Sequence, residues 1–280
     1  MRLERLSDRP VALRFSKTLC GIAGYSLGLD SRVERTVAAR ALLAGIAERG
    51  ADAVGYAFRR PGSAVKVHKQ RSGATALLDR IRVPEEATQL LVHVRDYTKG
   101  HPSLNANNHP IRHGAVVGVH NGIIVNDDQL FDEHGIARAE PGMTVDSEII
   151  FALAGRARGR TAEALEKLYG SMAAAWIDED RPELLLTRGM GRPLWIGTGK
   201  RELFFASTRL ALELVESYVG LKLKKTQLGE GTVAAVENGA VVARERFTPD
   251  LSFEEEPLPA VRAPHEARSC LARLASLHAA

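Results

Sequence analysis

The segments of this 280-residue chain that look like strands do not alternate regularly with helices, and this is what most restricts its fold. Short apolar runs typical of buried strands occur at Leu90–Val94, Ala115–Val119 and Ala173–Ile177. Apolar residues with helical spacing occur in separate stretches, as at Asp127–Glu133. Few of these elements form the βαβ units of a doubly wound parallel sheet. The pattern predicts packed sheets covered by helices.

The composition is that of a globular protein, with 45% hydrophobic and 26% charged residues. No apolar run reaches the roughly 20 residues that a membrane span needs, and residues 1–19 lack the apolar core of a secretory signal. Most of the net charge of +4 comes from those residues, so we expect neither a nucleic-acid nor a membrane partner. The two cysteines, Cys20 and Cys270, suggest no disulfide framework, which favours the cytoplasm.

Cys20 begins a run of small and apolar residues that predicts a buried strand with a thiol at its tip. Taken alone, this run favours a buried structural cysteine. Three polar clusters follow it, supplying in turn a cation, amide and backbone donors, and a carboxylate: Val94–Gly100, Asn108–Pro110 with His120–Gly122, and Val145–Glu148. Together these groups would let a thiolate attack the side-chain amide of an amino acid held by its charged ends.

Nine short motifs resemble those of a known family, and they lie in the same order over residues 20–245. They are Cys20-Gly21-Ile22-Ala23-Gly24, Glu48-Arg49-Gly50-Ala51-Asp52, His93-Val94-Arg95, Thr98-Lys99-Gly100, Asn108-His109-Pro110, His120 to Asn126, Asp146-Ser147-Glu148, Arg192 to Gly197 and Phe205 to Thr208. The family is the class II glutamine amidotransferases, including the glutaminase domain of glucosamine-6-phosphate synthase. The resemblance implies an α+β fold, the four-layer αββα sandwich of the N-terminal-nucleophile hydrolases.

The resemblance also implies the catalytic roles. Cys20 would be the nucleophile, and the Asn121 amide and Gly122 N–H would bind the oxyanion. A glycine lets the backbone approach closely and an asparagine supplies a neutral donor, which fits this role. An Asn-Gly pair on its own, however, is also typical of a hairpin turn.

Four further residues would bind glutamine. Arg95 suits its α-carboxylate because a guanidinium binds carboxylates bidentately, and Asp146 would complement its α-ammonium. Thr98 and His109 correspond to family positions that line the pocket. The alternatives are a surface ion pair for Arg95, a helix N-cap for Asp146 and a packing role for His109 beside Pro110.

No histidine is forced into the role of base for the thiol. The α-amine of Cys20 suits that role, because a free amine with a pKa of about 7.7–8.0 can accept the proton near neutral pH. An amide nitrogen at the same place cannot. We therefore expect residues 1–19 to be a leader that is cleaved, or a stretch preceding the true start of translation.

The chain departs from the family at the cation motif. The synthases usually have Arg-Trp-Ala-Thr-His-Gly where this chain has Arg95-Asp96-Tyr97-Thr98-Lys99-Gly100. Arginine and threonine are kept, but the loss of tryptophan and histidine puts coupling to an ammonia acceptor in doubt.

No metal or cofactor is predicted. Four histidines lie close together in the sequence, at His101, His109, His113 and His120. Their spacing fits no zinc pattern, and no cysteine ligand lies among them. The stretch Gly197–Arg201 lacks the first glycine and the final serine or threonine of a phosphate-binding loop.

We predict an amidotransferase domain over residues 20–247, followed at 248–280 by an acidic, proline-rich linker and a short helix. The predicted activity is hydrolysis of the L-glutamine side-chain amide through a γ-glutamyl thioester. Residues after 245 are too few for a sugar isomerase domain, so a separate synthase subunit would take the ammonia; an oligomer is compatible with the sequence. The alternatives are a hydrolase of γ-glutamyl amides and a non-catalytic glutamine-binding subunit.

Overall fold

The computed structural model describes residues 20–157, 159–254 and 262–279. The predicted leader and residues 255–261 of the predicted linker lie outside this part of the chain. Thirteen strands are described: β1 (Gly21–Leu27), β2 (Ala53–Arg59), β3 (Lys66–Gln70), β4 (Gln89–Arg95), β5 (Ile111–His113), β6 (Val116–Ile124), β7 (Gly170–Asp178), β8 (Leu184–Arg188), β9 (Trp195–Thr198), β10 (Glu202–Ala206), β11 (Lys224–Gln227), β12 (Thr232–Glu237) and β13 (Ala240–Arg246). The α-helices of the same residues are α1 (Arg35–Ile46), α2 (Ala74–Leu78), α3 (Asp127–Glu133), α4 (Glu148–Arg156), α5 (Thr161–Leu165), α6 (Arg209–Val219) and α7 (Pro264–Ala279).

The strands form two antiparallel sheets. The first has the order β11-β9-β10-β1-β4-β2-β3, and the second has the order β13-β12-β8-β7-β6-β5. In the first sheet β1 lies between β4 and β10, with Gly21 opposite Val94 and Ala23 opposite Ala206. The strand that follows Cys20 is therefore central in its sheet.

Three apolar clusters define four layers. One cluster joins the outer face of the first sheet to α1, α2, α6 and α7, and another joins the outer face of the second sheet to α3, α4 and α5. The third fills the space between the sheets and includes Ile22, Leu91 and Val119. This is the αββα sandwich that the resemblance implies, and the predicted fold class is confirmed.

Alternation along the strands decides which side chains face the space between the sheets. In β4, Leu90, Val92 and Val94 pack towards the helices, whereas Leu91 packs towards the second sheet. Because the strand period is two, Arg95 points to the same side as Leu91. In the same way β6 directs Asn121 to the side of Val117 and Val119.

The Asn-Gly pair is not a hairpin turn. The sequence predicts a strand ending near Val119, but β6 continues to Ile124, and Asn121 lies opposite Ala173 in β7. Gly122 has φ +144°, and a Cβ there would collide with the Ser171 carbonyl. Glycine lets the strand pass through a conformation that other residues rarely adopt, so the ladder continues where a turn was an alternative.

Candidate active site

The tip of β1 meets the loop after β4 in a narrow crevice at one end of the sandwich. It is lined by Cys20, Arg95, Asp96, Tyr97, Thr98, Lys99, His109, His120, Gly122, Val145, Asp146 and Ser147. Six of the seven residues that the sequence singles out therefore line one crevice. The seventh, Asn121, lies next to Gly122 in β6 and is completely buried.

The Cys20 thiol donates a hydrogen bond to the Asp96 carbonyl at 3.4 Å. Desolvation raises the pKa of this thiol to about 11, although the Arg95 guanidinium acts in the opposite direction. At neutral pH the group is therefore a protonated thiol. To act as a nucleophile it must first lose its proton to a base.

Arg95 is buried, with 2% of its surface exposed, so the alternative of a surface ion pair is excluded. Its guanidinium donates to Asn108 Oδ1 at 2.6 Å, to the Lys99 carbonyl at 2.8 Å and to the Gly100 carbonyl. These acceptors are neutral, and burial lowers the pKa of the guanidinium. The crevice thus contains a buried cation whose contacts leave its charge available to an anionic ligand.

Asp146 supplies a buried carboxylate at the same crevice. Its Oδ2 accepts the Ile124 N–H at 2.8 Å, and Oδ1 accepts the Ser147 hydroxyl at 3.5 Å. It therefore contacts the end of β6, while Ser147 occupies the N-cap position of α4. Burial raises the pKa of Asp146 to about 6, so the carboxylate is mostly ionised at neutral pH.

The Asn121 side chain has two buried polar atoms without a hydrogen-bond partner, Nδ2 and Oδ1. A buried amide left unpaired costs free energy, on the order of 1–3 kcal/mol. Such groups are uncommon in folded proteins and are frequent where a ligand supplies the missing partner. The Nδ2 group of Asn121 is thus an unused hydrogen-bond donor beside the crevice.

Three buried histidines pack together at the crevice. The His93 and His109 rings stack with centroids 4.1 Å apart, and a His93 ring nitrogen lies 3.1 Å from the His120 carbonyl. Desolvation lowers the pKa of His93 and of His120 to about 3 and that of His109 well below its usual value. All three are neutral near pH 7 and are weak bases for a thiol.

The segment before β2 holds the loop that follows Arg95. The Asp52 N–H donates to the Arg95 carbonyl at 3.0 Å, and Asp52 Oδ2 accepts the Tyr97 N–H at 2.9 Å. A Cβ at Gly50 would collide with the Arg95 carbonyl. This close approach explains the Gly50-Ala51-Asp52 stretch of the motif.

Sequence reasoning missed a charge network around Lys99. The Lys99 ammonium contacts both Asp127 oxygens, at 2.7 and 2.8 Å, and Asp128 at 2.7 Å. Arg138 binds the same two aspartates from the other side and also reaches Glu148. The network connects the loop to the start of α3. Its signal in the sequence was a lysine where the family has histidine between Thr98 and Gly100, together with two adjacent aspartates.

No group of histidine, cysteine and acidic side chains in the described part of the chain has the arrangement of a metal site. Within the same residues no helix is long and apolar enough to cross a membrane.

Comparison with known proteins decides the family. Residues 98–213 match a family described as a glutamine amidotransferase domain. This chain contains a glutamine amidotransferase domain. It is 30% identical over 251 residues to glutamine–fructose-6-phosphate aminotransferase (isomerizing) of Bacillus subtilis, which covers 85% of this chain and 40% of the relative. The protein of the same name from Rhizobium meliloti is 33% identical over 202 residues, covering 69% of this chain and 32% of the relative.

Among solved structures, the amidotransferase domain resembles glutamine phosphoribosylpyrophosphate amidotransferase from B. subtilis complexed with ADP and GMP. The TM-score is 0.65 at 20% identity, covering 82% of this chain and 49% of that one. This likeness concerns the fold. The chain spans about two fifths of the length of the Bacillus relative.

The predicted family is thereby confirmed at the level of the domain, and the relatives that match are enzymes named for their use of glutamine. The roles of individual residues, the domain boundaries and the cytoplasmic location stay predictions.

Proposed function

We propose that this domain hydrolyses the side-chain amide of L-glutamine with Cys20 as the nucleophile. The observation that carries the proposal is the meeting of three groups in one crevice: the Cys20 thiol, the buried Arg95 cation and the buried Asp146 carboxylate. A free amino acid carries a carboxylate and an ammonium at one end. Arg95 and Asp146 complement these two charges and would leave the side-chain amide for the thiol.

The reaction would proceed in two halves. The Cys20 thiolate attacks the amide carbon, and the oxyanion is stabilised by the Asn121 side-chain N–H and the Gly122 backbone N–H. The C–N bond breaks, and the nitrogen leaves as ammonia after taking up the proton first removed from the thiol. Water then attacks the γ-glutamyl thioester, losing a proton to the same base, and releases glutamate and the thiol.

The base would be the α-amine of Cys20. The thiol pKa of about 11 calls for a base in contact with it, and His93 and His120 at about 3 are too weak. A free α-amine has the appropriate pKa and belongs to the same residue as the nucleophile. The proposal therefore requires an active form that begins at Cys20.

Ammonia would pass to an acceptor bound by a separate subunit. The Bacillus relative is named as an aminotransferase acting on fructose-6-phosphate, and this chain matches 40% of its length. We propose that a protein corresponding to the unmatched part of that relative supplies the acceptor.

Glutamate release from glutamine tests the proposal directly. A chain beginning at Cys20 should turn over, the same chain with Cys20→Ala should not, and Cys270→Ala serves as the matched thiol control. Absence of glutamate release from the chain beginning at Cys20 would refute the assignment.

Hydrolysis of larger γ-glutamyl amides is a second candidate, favoured by another cavity. It shares Asp96 with the crevice and is lined by Gly50, Ala51, Asp52, Arg262, Ala263 and His265. A polar cavity beside the nucleophile offers room for an amine larger than ammonia. Rates on glutamine and on γ-glutamyl amides of bulkier amines separate the two candidates: faster turnover of the bulkier amides favours the second.

A further inference from the structure

The C-terminal segment of the chain reaches the active-site loop. The N–H groups of Arg262 and Ala263 both donate to the Glu48 carbonyl at 2.8 Å. The Arg262 Nε contacts Asp96 Oδ2 at 3.0 Å. Asp96 is the residue whose carbonyl accepts the Cys20 thiol, so one residue separates the C-terminal segment from the nucleophile.

The position of Arg262 is set by helix α7, which is anchored well along its length. Glu266 accepts the Thr75 N–H at 2.9 Å and its hydroxyl at 2.8 Å, and Arg273 pairs with Asp79 at 2.7 Å. Cys270 and Leu274 are buried in the cluster shared with α1 and α2. These contacts hold the helix on the body independently of Asp96.

Asp96 is held from two directions. The Asp52 carboxylate and the Gly50 backbone fix the main chain around it, and Arg262 binds its side chain. The carboxylate also bears on the thiol directly, because its negative charge raises the pKa of Cys20. A cation on Asp96 reduces that effect, since opposite charges in contact weaken each other's field.

We propose that Arg262 is a positioning residue of the amidotransferase reaction: its ion pair with Asp96 holds the Asp96 carbonyl at the Cys20 thiol and neutralises a carboxylate beside the nucleophile. The proposal rests on the function proposed above. It gives the segment after the predicted domain a part in the chemistry, where the sequence indicates only a linker and a helix that docks on the body or on a partner.

Other titratable groups also face the crevice that contains the thiol. They are Arg95 at the end of β4, Tyr97, Lys99 and His109 in the segment after it, His120 in β6 and Asp146 before α4. None of them is altered when Arg262 is replaced, so a change in Cys20 reactivity isolates the Asp96 pair.

The first test follows alkylation of Cys20 by iodoacetamide against pH in the full chain, with peptide mass mapping to separate Cys20 from Cys270. In Arg262→Gln the Asp96 carboxylate loses the charge of Arg262, which should shift the midpoint of the profile upward and slow Cys20 alkylation at pH 8 roughly threefold. Arg262→Lys keeps the charge and should restore the rate. Arg273→Gln, on the same helix, controls for loss of helix anchoring and should leave the profile unchanged.

A double-substitution cycle separates positioning from a general loss of structure. If Arg262 acts through Asp96, Arg262→Gln should have no further effect in an Asp96→Asn background. Independent, additive effects would overturn the proposal. So would an Arg262→Gln profile that overlaps that of the unsubstituted protein or of Arg273→Gln.

Turnover gives a second readout in any form that hydrolyses glutamine. Because Arg262 acts on the thiol and not on the charged ends of glutamine, kcat should fall roughly three- to tenfold with KM within about twofold. A rise in KM alone would contradict the proposal. If the chain that begins at Cys20 does not hydrolyse glutamine, the proposed function fails, while the alkylation profile still decides whether Arg262 acts on the thiol.

Discussion

The two thiols of this chain lie in very different surroundings, although burial raises the pKa of both. Desolvation raises the pKa of both Cys20 and Cys270 to about 11, and neither is in a disulfide. Cys270 lies in the interface of α7 with α1 and α2, fully buried, with Thr75 Oγ1 at 3.4 Å as its polar neighbour. Cys20 is partly exposed in a crevice that also contains Arg95 and Asp146.

The pKa of a thiol therefore does not distinguish a nucleophile from a packing residue in this chain. The two cysteines differ in whether charged and unpaired polar groups lie near the thiol. Around Cys270 the polar neighbours are satisfied by one another, whereas beside Cys20 the Asn121 amide has no partner. The unpaired Asn121 amide lies beside the crevice in which we propose that glutamine binds.

The largest expected difference between the two sites is in turnover. Cys20→Ala should lower glutamate release by more than about 10³-fold, because the nucleophile is lost. Cys270→Ala should leave kcat within about twofold. Equal losses from both substitutions, measured with glutamine at saturation, would erase the distinction.

Replacing Asn121 by alanine should lower kcat by about 10²–10³-fold with little change in KM, as expected for one donor to an oxyanion. Asn105→Ala, at an exposed position, is the matched control and should be neutral. If Asn121→Ala raises KM and leaves kcat unchanged, Asn121 belongs to substrate binding instead.

The ionisation of Asp146 should make glutamine turnover depend on pH. With a pKa near 6 in the folded protein, it loses its charge as pH falls, so kcat/KM for glutamine should drop below about pH 6. Asp146→Asn should bind glutamine poorly at every pH. A kcat/KM that stays constant from pH 7 to pH 5 would contradict a role for this carboxylate in binding the ammonium.

The buried carboxylate of Asp146 should also lower the free energy of unfolding at pH 7. The pKa is raised from 3.8 to about 6, so between these values the folded state binds more protons and the free energy of unfolding falls as pH rises. Asp146→Asn carries no charge and should be more stable than the unsubstituted protein at pH 7, by up to about 3 kcal/mol. Urea unfolding at pH 7 measures this, and a destabilised variant would contradict the sign.

Replacing Lys99 should have a smaller effect, on the KM for glutamine. Lys99→Gln removes the contacts with Asp127 and Asp128 that hold the loop carrying Thr98, and KM should rise roughly three- to tenfold. Lys225→Gln breaks an ion pair with Glu216 far along the first sheet and is the matched control. Equal KM values for the two variants would show that the network does not act on glutamine binding.

The smallest effect is expected at the packing thiol. Cys270→Ala should lower the free energy of unfolding by about 1 kcal/mol, because one buried atom is removed from a packed interface. A loss of activity without a loss of stability would mean that Cys270 is more than a packing residue.

Much of the fold could be predicted because its buried strands are strongly apolar. The helix over Asp127–Glu133 has the bounds that the sequence predicts. The strands β5 and β11 were missed, since Ile111–His113 is very short and Lys224–Gln227 is polar throughout. An edge strand of polar residues gives no alternation for a pattern to detect.

The sequence predicts site residues only where they stand within motifs that resemble those of the family. Cys20 and Arg95 stand within matching motifs, and the fold brings them together in one crevice. Lys99 pairs with Asp127, 28 positions away, and Arg262 pairs with Asp96, 166 positions away. No local pattern in the sequence indicates such pairs. Ion pairs between distant segments follow from the packing of the layers, which the sequence does not display.

The central claim is that Cys20, with a free α-amine, is the nucleophile that attacks glutamine. The most direct test is the intact mass of two proteins, one expressed from Met1 and one beginning at Cys20, before and after exposure to a diazo-ketone analogue of glutamine. We predict a single adduct that maps to Cys20 in every molecule beginning at that residue, with glutamine protecting against it. An adduct at Cys270, or none on the protein that begins at Cys20, would contradict the account.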